Sequence, residues 1–393
     1  GAATGRSGVE AAGEADAHRR AEALLHDLVA RAEQTVDDVA VDPHRRHLAH
    51  HVDSVLVTDG EGEVGQLEVP AQQVLVELKG ALVEGDDLLG RLPDLLGRGH
   101  ELRNMDSGEP LAPRVSQVTS ANAYIGARPV AEALDGGALI VLCGRVTDTA
   151  LALGPLVHEF GWAADDWDRL AAGTICGHIL ECGAQATGGN FTRWWEVPEL
   201  WKVGYPIAEV EASGSFVVTK HPGTGGMVTV DTVSEQLVYE MGDPKSYITP
   251  DVTADFTSIR LAQEGVDRVR VSGIAGRAKT PFLKISASYL DGYKAAGQVT
   301  VSGPRAIEKA RLAAEIVWKR LEGAGVTFAE DDRVTELLGV SAVLPGILAA
   351  PSDPPEVVLR LAVRDADRGK VDRFGKEIAP LVTAGPPGVT GFA

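Results

Sequence analysis

The chain divides into two parts of different composition, and this division limits where a hydrophobic core can form. All 20 Phe, Trp and Tyr residues lie at or after Tyr124, and the first isoleucine is Ile125. Aromatic and isoleucine side chains supply much of the apolar area that a core buries. Six of the ten histidines, by contrast, lie between His18 and His51. Residues 1–79 can therefore build only a weak core of Val, Leu and Ala.

Residues 1–79 have two interpretations. A helix would place His47 and His51 on one face as a metal-binding pair, although no cysteine lies nearby and the flanking arginines would repel a cation. The alternative starts from the residue types that are scarce or missing here, namely Phe, Tyr, Ile, Lys, Asn and Met, which mostly have A/T-rich codons. A GC-rich gene translated in a wrong frame has this composition. We therefore expect an atypical His/Ala/Arg-rich leader, wrong-frame or disordered, in place of the native start.

Charge and hydropathy exclude several classes of protein. The 393 residues carry a formal net charge of −19 and have a pI near 5.0. Such a charge repels phosphate backbones and anionic lipid, so we expect neither nucleic-acid nor membrane binding. No apolar run reaches the roughly 18 residues of a membrane span, and three cysteines make no disulfide framework. We expect a soluble, cytoplasmic protein that forms a homo-oligomer.

From about residue 80 the hydrophobic pattern alternates between strands and helices. It predicts an α/β fold, with a mixed sheet, flanking helices and a strand-rich (α+β) middle segment. The predicted domains are residues 80–200, as an α/β part, and residues 201–393, as a strand-rich and α/β remainder. The predicted helices are 129–134, 147–153, 155–160, 165–183, 304–321 and 367–381. The predicted strands are 138–143, 207–210, 215–219, 255–261, 268–272, 282–289 and 357–363, with hairpin turns at 213–214 and 291–292.

The glycine-rich loop at residues 220–226 is the first candidate site. It stands between a predicted strand and a helix beginning near Val230. Its glycines let backbone N–H groups approach a ligand, and the helix N-terminus adds positive partial charge. The sequence predicts a site for a carboxylate or phosphate, or alternatively a turn that needs glycine for its geometry alone. The binding residues would be Lys220, Gly223, Thr224, Gly225 and Gly226, with His221 available to move a proton.

Polar residues beside the predicted strand 138–143 form the second candidate site. Arg145 directly follows this strand and can clamp a carboxylate, while Asp148 can act as a base or orient Arg145. The third candidate site is the polar turn at residues 120–127, before a short predicted helix, where Asn122 can donate to an oxyanion and Tyr124 can act as a general acid. The structural alternatives are an N-cap at Thr147, an ion pair between Arg145 and Asp148, and local backbone bonds from Asn122.

Two further clusters have structural explanations that we favour. Cys176, His178 and Cys182 share the predicted helix 165–183, where Gly173 and Gly177 fit close packing against another element. We therefore expect a buried helix with a hydrogen-bonded histidine, and we predict no metal site. The carboxylates of residues 84–87 fit a helix start better than a cation site.

From about residue 80 the chain resembles the acyclic terpene utilisation (AtuA) family. Several segments carry the resemblance in the same order along the chain: residues 83–89, 120–127, 144–148, 153–156, 171–174, 178–183, 220–226, 235–240 and 385–388. The glycine-rich opening strand and loop of the family, and its Asn-Ala-Gly-Gly-type segment, are absent from residues 1–79. The family also often continues past residues 385–388 into a small ferredoxin-like domain, whereas this sequence stops at Ala393.

The resemblance implies a role in the catabolism of acyclic isoprenoid alcohols such as citronellol and geraniol, through branched acyl-CoA thioesters. One hypothesis is an enzyme that binds an acyl-CoA and acts on it as a lyase, hydratase or hydrolase, with no cofactor identified beyond the coenzyme A thioester as ligand. The alternative is a non-catalytic subunit or scaffold that partners acyl-CoA carboxylase subunits. A metal-dependent hydrolase is a third hypothesis.

Overall fold

The computed structural model describes residues 80–340, 342–347, 349 and 351–393. The chain forms two compact units that divide between Ser288 and Tyr289. The predicted leader, with its histidine pair, lies outside the described residues. The predicted boundary near residue 200 falls inside the first unit, and the division into domains of different character there stays a prediction.

The first unit combines helices with several small sheets, so the predicted mixed α/β class is confirmed. Among the described residues, β1 pairs in parallel with β3, and β2 pairs with β11. A four-stranded antiparallel sheet has the order β4-β5-β9-β8, and a three-stranded one has the order β10-β7-β6. The elements are β1 (Gly80–Val83), α1 (Leu92–Gly97), β2 (Val118–Ala123), α2 (Arg128–Asp135), β3 (Ile140–Cys143), α3 (Ala150–Phe160), α4 (Trp167–Glu181), β4 (Pro206–Val210), β5 (Phe216–Lys220), α5 (Val230–Val238), β6 (Tyr247–Ile248), β7 (Thr253–Asp255), β8 (Arg260–Gly265), β9 (Arg268–Ser272), β10 (Ala275–Arg277) and β11 (Ile285–Tyr289).

Helix α4 is the centre of the first core. All of its residues from Leu170 to Ile179 are buried, as expected for a helix that packs on several sides. The predicted close packing of its two glycines is confirmed. A Cβ on Gly173 would lie 2.5 Å from Leu153 Cδ1, and a Cβ on Gly177 would lie 2.7 Å from the Thr149 Cα. Helices α3 and α4 therefore approach each other at glycine.

The predicted helix break at Gly154-Pro155 is wrong, because α3 runs through both residues. Pro155 lacks a backbone N–H donor, yet the helix continues on both sides of it. A Cβ on Gly154 would lie 2.6 Å from the Cβ of Val130 in α2. Gly154 thus serves close packing between α2 and α3, and this tertiary contact outweighs the local tendency of a Gly-Pro pair to end a helix.

The second unit is one sheet with helices in the sequence order β-α-β-β-α-β. Its strands are antiparallel neighbours in the order β13-β14-β12-β15. This order and connectivity define a ferredoxin-like arrangement. Buried Val, Leu and Ala side chains from the sheet and from α6 form a separate core. The elements are β12 (Tyr293–Ser302), α6 (Ala306–Gly323), β13 (Arg333–Leu338), β14 (Glu356–Asp365), α7 (Arg368–Gly375), α8 (Leu381–Ala384) and β15 (Val389–Thr390).

Short 3₁₀ helices make up the rest of the described helical structure. One of them interrupts a segment that the sequence predicts as a continuous strand. The strand predicted at 255–261 is divided by such a turn into the end of β7 and the start of β8. The predicted hairpin at 291–292 is also wrong, because β11 and β12 pair with different strands. The 3₁₀ helices are Leu89–Arg91, Ala112–Gln117, Gly183–Thr187, Trp194–Glu196, Leu200–Lys202, Phe256–Ser258 and Glu330–Asp332. None of the described helices is long and apolar enough to cross a membrane.

The glycine contact between α3 and α4 gives the first testable prediction. In a helix, Gly→Ala ordinarily adds about 1 kcal/mol of stability. We expect Gly177→Ala to lower the melting temperature instead, since the new methyl group meets the Thr149 backbone. Gly97→Ala at the end of α1 is the control, because nothing lies within 4 Å of that position. Thermal unfolding of both variants checks this, and a Gly177→Ala protein as stable as wild type would contradict it.

Candidate functional site

The segments that follow β1, β2 and β3 meet at one end of these strands. The Gly144 N–H donates to the Val83 carbonyl at 3.0 Å, and the Ile125 N–H donates to the Arg145 carbonyl at 3.0 Å. Residues after three separate strands are therefore linked by backbone hydrogen bonds. Ligands of open α/β folds bind at the carboxyl ends of strands, so this end is the candidate site.

A buried carboxylate, Asp86, holds these segments together. Its Oδ2 accepts the Asn122 Nδ2–H at 2.8 Å and the Arg145 backbone N–H at 2.8 Å. A Cβ on Gly144 would overlap the other carboxylate oxygen, so glycine is required there. Burial acts to raise the pKa of Asp86, but these two hydrogen bonds and the Arg145 charge outweigh it, and the pKa lies below its ordinary value. Asp86 is therefore an ionised anchor for the site.

Two cations flank one tyrosine ring beside this anchor. The Arg145 guanidinium carbon lies 5.3 Å from the centroid of the Tyr124 ring, and the Lys284 Nζ lies 5.2 Å from it. The Tyr124 N–H also donates to the Lys284 carbonyl at 2.9 Å. Both cationic side chains belong to exposed residues, and Tyr124 is half-buried. These contacts place two positive charges on one aromatic platform.

The structure brings together only some of the residues predicted after the strand 138–143 and in the turn 120–127. Asn122 and Arg145 meet through Asp86, although Asn122 lies in β2 and not in a turn. Asp148 is exposed, and its charge acts on Tyr247. Burial, followed by the charges of Glu181 and Asp148, raises the pKa of Tyr247 to about 12.

Two residues of this site were not assigned to it from the sequence. The sequence pattern indicates only an acidic helix start around Asp86 and does not point to Lys284. The buried position of Asp86 within an otherwise exposed acidic turn is a property of the fold. Lys284 is distant from Tyr124 along the chain, and no local pattern links the two. The one local signal for Lys284 is its position directly before β11, which marks the end of a strand but not its partner.

The glycine-rich loop at residues 220–226 lies between β5 and α5, as predicted. Lys220 is buried, and its Nζ lies 3.1 Å from the Thr224 carbonyl and 3.3 Å from Asp267 Oδ2. The Thr224 hydroxyl donates to the carbonyl of the exposed His221 at 2.7 Å. The Lys220 charge is thus directed to partners within the protein.

The backbone of this loop is also hydrogen-bonded to the protein. The Gly225 N–H donates to the Lys202 carbonyl at 3.0 Å, and the Gly226 N–H donates to the Pro198 carbonyl at 2.8 Å. Gly223 and Gly226 both have a left-handed backbone, with φ of 79° and 85°. This geometry agrees with the structural alternative for the glycines, while anion binding by the loop stays a prediction.

His178 and Cys182 have structural surroundings. His178 is buried, its Nε2 lies 3.1 Å from the Gln236 carbonyl oxygen, and its ring meets Phe256 edge-on at 5.3 Å. Burial lowers the pKa of His178 and raises that of Cys182. In the part of the chain that the structure describes, no group of three or more His, Cys, Asp or Glu side chains is arranged to hold a metal ion.

The fold is that of a mixed α/β protein, and its strand-end cluster holds two cations beside one aromatic ring. The chain matches the family model "Acyclic terpene utilisation family protein AtuA" over residues 58–393. It therefore belongs to the AtuA family, which is implicated in acyclic terpene utilisation. The match begins at residue 58, within residues 1–79, whose composition differs from that of the rest of the chain. No curated protein and no solved structure matches the chain at a significant level.

The Asp86 anchor predicts a pH-dependent contribution to stability. We expect Asp86→Asn to lower the free energy of unfolding by about 1–3 kcal/mol at neutral pH, because charge-assisted hydrogen bonds are lost. The pKa of Asp86 is lower in the folded than in the unfolded chain. The carboxylate therefore stabilises the fold above the unfolded pKa, near 4, and this contribution disappears as the pH falls through the folded pKa.

Denaturant unfolding of wild type and Asp86→Asn at several pH values measures this difference. It should be constant around neutrality and shrink below about pH 4. Asp87→Asn is the control, since Asp87 is an exposed neighbour whose side chain accepts one bond, from the Leu89 N–H. A difference that does not change with pH would show that Asp86 acts through its shape and not its charge.

The contacts of Lys220 predict a structural effect. Lys220→Ala removes the cationic partner of the Asp267 carboxylate and a buried aliphatic stem, so we expect a loss of about 1–3 kcal/mol in unfolding free energy. His221→Ala, at the next and exposed position, should change it by no more than about 0.5 kcal/mol. Denaturant unfolding compares the two variants. Equal stability of Lys220→Ala and wild type would count against the structural role.

Proposed function

We propose that the protein binds a branched acyl-CoA thioester at the strand-end cluster, with the anionic groups of the ligand on Arg145 and Lys284. The observation that carries this proposal is the pair of cations on the Tyr124 ring. Within the described residues, neither cation forms a salt bridge with a carboxylate. In a chain with a net charge of −19, two such cations on one ring favour the local binding of an anion.

The chemistry of the cluster fits phosphate or carboxylate groups. Arginine binds either group through paired N–H donors, and lysine adds a compact charge. The Asp86 hydrogen bond fixes the backbone from which Arg145 projects. The phosphates of coenzyme A supply the anionic groups that such a pair binds.

Two exposed apolar residues that directly precede Lys284 in the chain support a ligand with a hydrocarbon part. Phe282 is 78% exposed and Leu283 is 53% exposed, and they directly precede Lys284. Large apolar side chains that lie together at the surface often mark a binding site. A branched acyl chain attached to an anionic carrier combines the two chemistries found here.

The arrangement supports binding more directly than a particular reaction. Asn122, Asp148 and His221 were predicted to handle protons, but the structure puts them in three different surroundings. One amide N–H of Asn122 donates to Asp86, His221 belongs to the glycine-rich loop, and Asp148 influences Tyr247. We therefore propose a binding function for the strand-end cluster.

Calorimetric titration of geranyl-CoA tests the proposal. We expect Arg145→Ala and Lys284→Ala each to raise the Kd about tenfold, the effect of losing one charge-assisted contact in a partly exposed site. Added salt should weaken binding to wild type, because exposed charges are screened. Lys294→Ala, an exposed cation of the second unit, is the charge-matched control and should bind like wild type.

An unchanged Kd in both Arg145→Ala and Lys284→Ala would contradict the placement of the ligand. A protein that binds acyl-CoA carboxylase subunits and no thioester would fit the scaffold alternative instead.

A further inference from the structure

Three of the six tryptophans of the chain are exposed within one short segment of the first unit. Residues 191–205 are called the aromatic segment below. Among the described residues, Trp194 and Trp195 are 64% and 65% exposed, Trp201 is 83% exposed and Tyr205 is 72% exposed. Tryptophan is on average one of the more deeply buried residue types. The packing of the first unit alone therefore does not explain four exposed rings in one segment.

The backbone that carries the three indoles fits within one interface. Trp194 and Trp195 meet edge-on, with their ring centroids 6.0 Å apart. Trp201 follows Trp194 by seven residues, a span of at most about 25 Å when fully extended. Two 3₁₀ helices, Trp194–Glu196 and Leu200–Lys202, shorten this span. One side of a standard interface covers about 800 Å², a patch roughly 30 Å wide.

Hydrogen bonds to the glycine-rich loop hold the backbone of the aromatic segment. The Gly225 N–H donates to the Lys202 carbonyl at 3.0 Å, and the Gly204 N–H donates to the Gly225 carbonyl at 3.1 Å. The Gly226 N–H donates to the Pro198 carbonyl at 2.8 Å. The rings thus project from a backbone that is already fixed. A surface ordered before association loses less conformational entropy when a partner binds.

The charges of the aromatic segment are paired. Arg193 Nε lies 3.0 Å from Glu196 Oε2, and Lys202 Nζ lies 3.0 Å from Glu199 Oε1. Arg193 also lies 2.7 Å from Asp231 Oδ2 in α5. The segment has two basic and two acidic residues and no net charge, whereas the whole chain carries −19. The repulsion between two copies of such an acidic chain is therefore weakest where this segment meets a partner.

We propose that the aromatic segment is an interface between two copies of this chain, with the three tryptophans at its centre. Tryptophan, tyrosine and arginine are enriched in interfaces and among the residues that carry most of the binding energy. An aromatic side chain buries about 150–250 Å², so the four exposed rings offer roughly 400–700 Å². This area is at least about half of the 800 Å² that each partner of a standard interface contributes.

A second copy fits this surface better than a basic partner does. A two-fold dimer places the same patch of both subunits in contact, so the patch must be complementary to itself. Aromatic rings without net charge meet this condition, whereas a patch with charge of one sign does not. A basic partner would instead be attracted to the acidic surface that the rest of the chain supplies.

Sedimentation equilibrium of the full chain tests this inference. We expect a dimer of twice the 41.3 kDa chain mass, with a Kd of about 1 µM or lower. Trp194→Ala and Trp201→Ala should each raise the Kd at least about thirtyfold, because a two-fold dimer loses the ring twice. Phe392→Ala removes an exposed ring from the second unit and is the control, which should dimerise like wild type. Circular dichroism checks that each variant folds.

A charge variant tests whether the partner is a second copy. Lys202→Glu changes the net charge of the aromatic segment from zero to −2, so the two copies would meet with like charge. We expect a Kd at least about tenfold higher, and added salt should recover part of the affinity because it screens the repulsion. Lys294→Glu makes the same change at an exposed position of the second unit and should leave dimerisation unchanged.

Three results would overturn the inference. One is a wild-type chain that stays monomeric at about 100 µM, and another is a dimer whose Kd changes in neither tryptophan variant. The third is a monomer whose tryptophans are shielded from acrylamide quenching, because another part of the chain would then cover the aromatic segment. The inference does not involve Arg145 or Lys284, so the titration of geranyl-CoA tests the proposed function independently.

Discussion

A buried carboxylate holds together the three strand ends on which the candidate site is built. Asp86 accepts one hydrogen bond from Asn122 in β2 and one from the backbone after β3. A buried charge without such partners is unstable, so the segments that supply the donors must remain in place. The backbone beneath Arg145 is fixed in this way, and the position of the cation pair on Tyr124 depends on it.

Close helix packing gives the second support for this region. Gly154 lets α3 approach α2, while Gly173 and Gly177 let α4 approach α3. Helix α2 begins just after Ala127, whose N–H is held by Asp251. The segment from Tyr124 to Ala127 thus joins the strand-end cluster to the packed helices. A change in helix packing would therefore reach the cluster.

The net negative charge of the chain contrasts with the two cations on the Tyr124 ring. A protein with a net charge of −19 repels anions at long range. An anionic ligand must therefore be held by local contacts, and we propose Arg145 and Lys284 for this role. Repulsion from the rest of the surface would disfavour ligands that carry charge alone, and apolar contact would favour ligands that also carry a hydrocarbon chain.

The sequence by itself determined the mixed α/β class, the buried helix α4 with its close-packed glycines, the β4–β5 hairpin and the family. Each of these follows from a local pattern or from motifs in a fixed order. It also placed Arg145 directly after a strand. It missed β12, whose Lys-Ala-Ala-Gly stretch has weak strand propensity and which forms by pairing with β14 along its whole length. Only the tertiary structure decided that Asp86 is buried, that Lys284 reaches Tyr124 and that Asp251 holds the Ala127 N–H. These contacts join residues far apart in the chain, and packing and desolvation, which no local pattern records, bring them together.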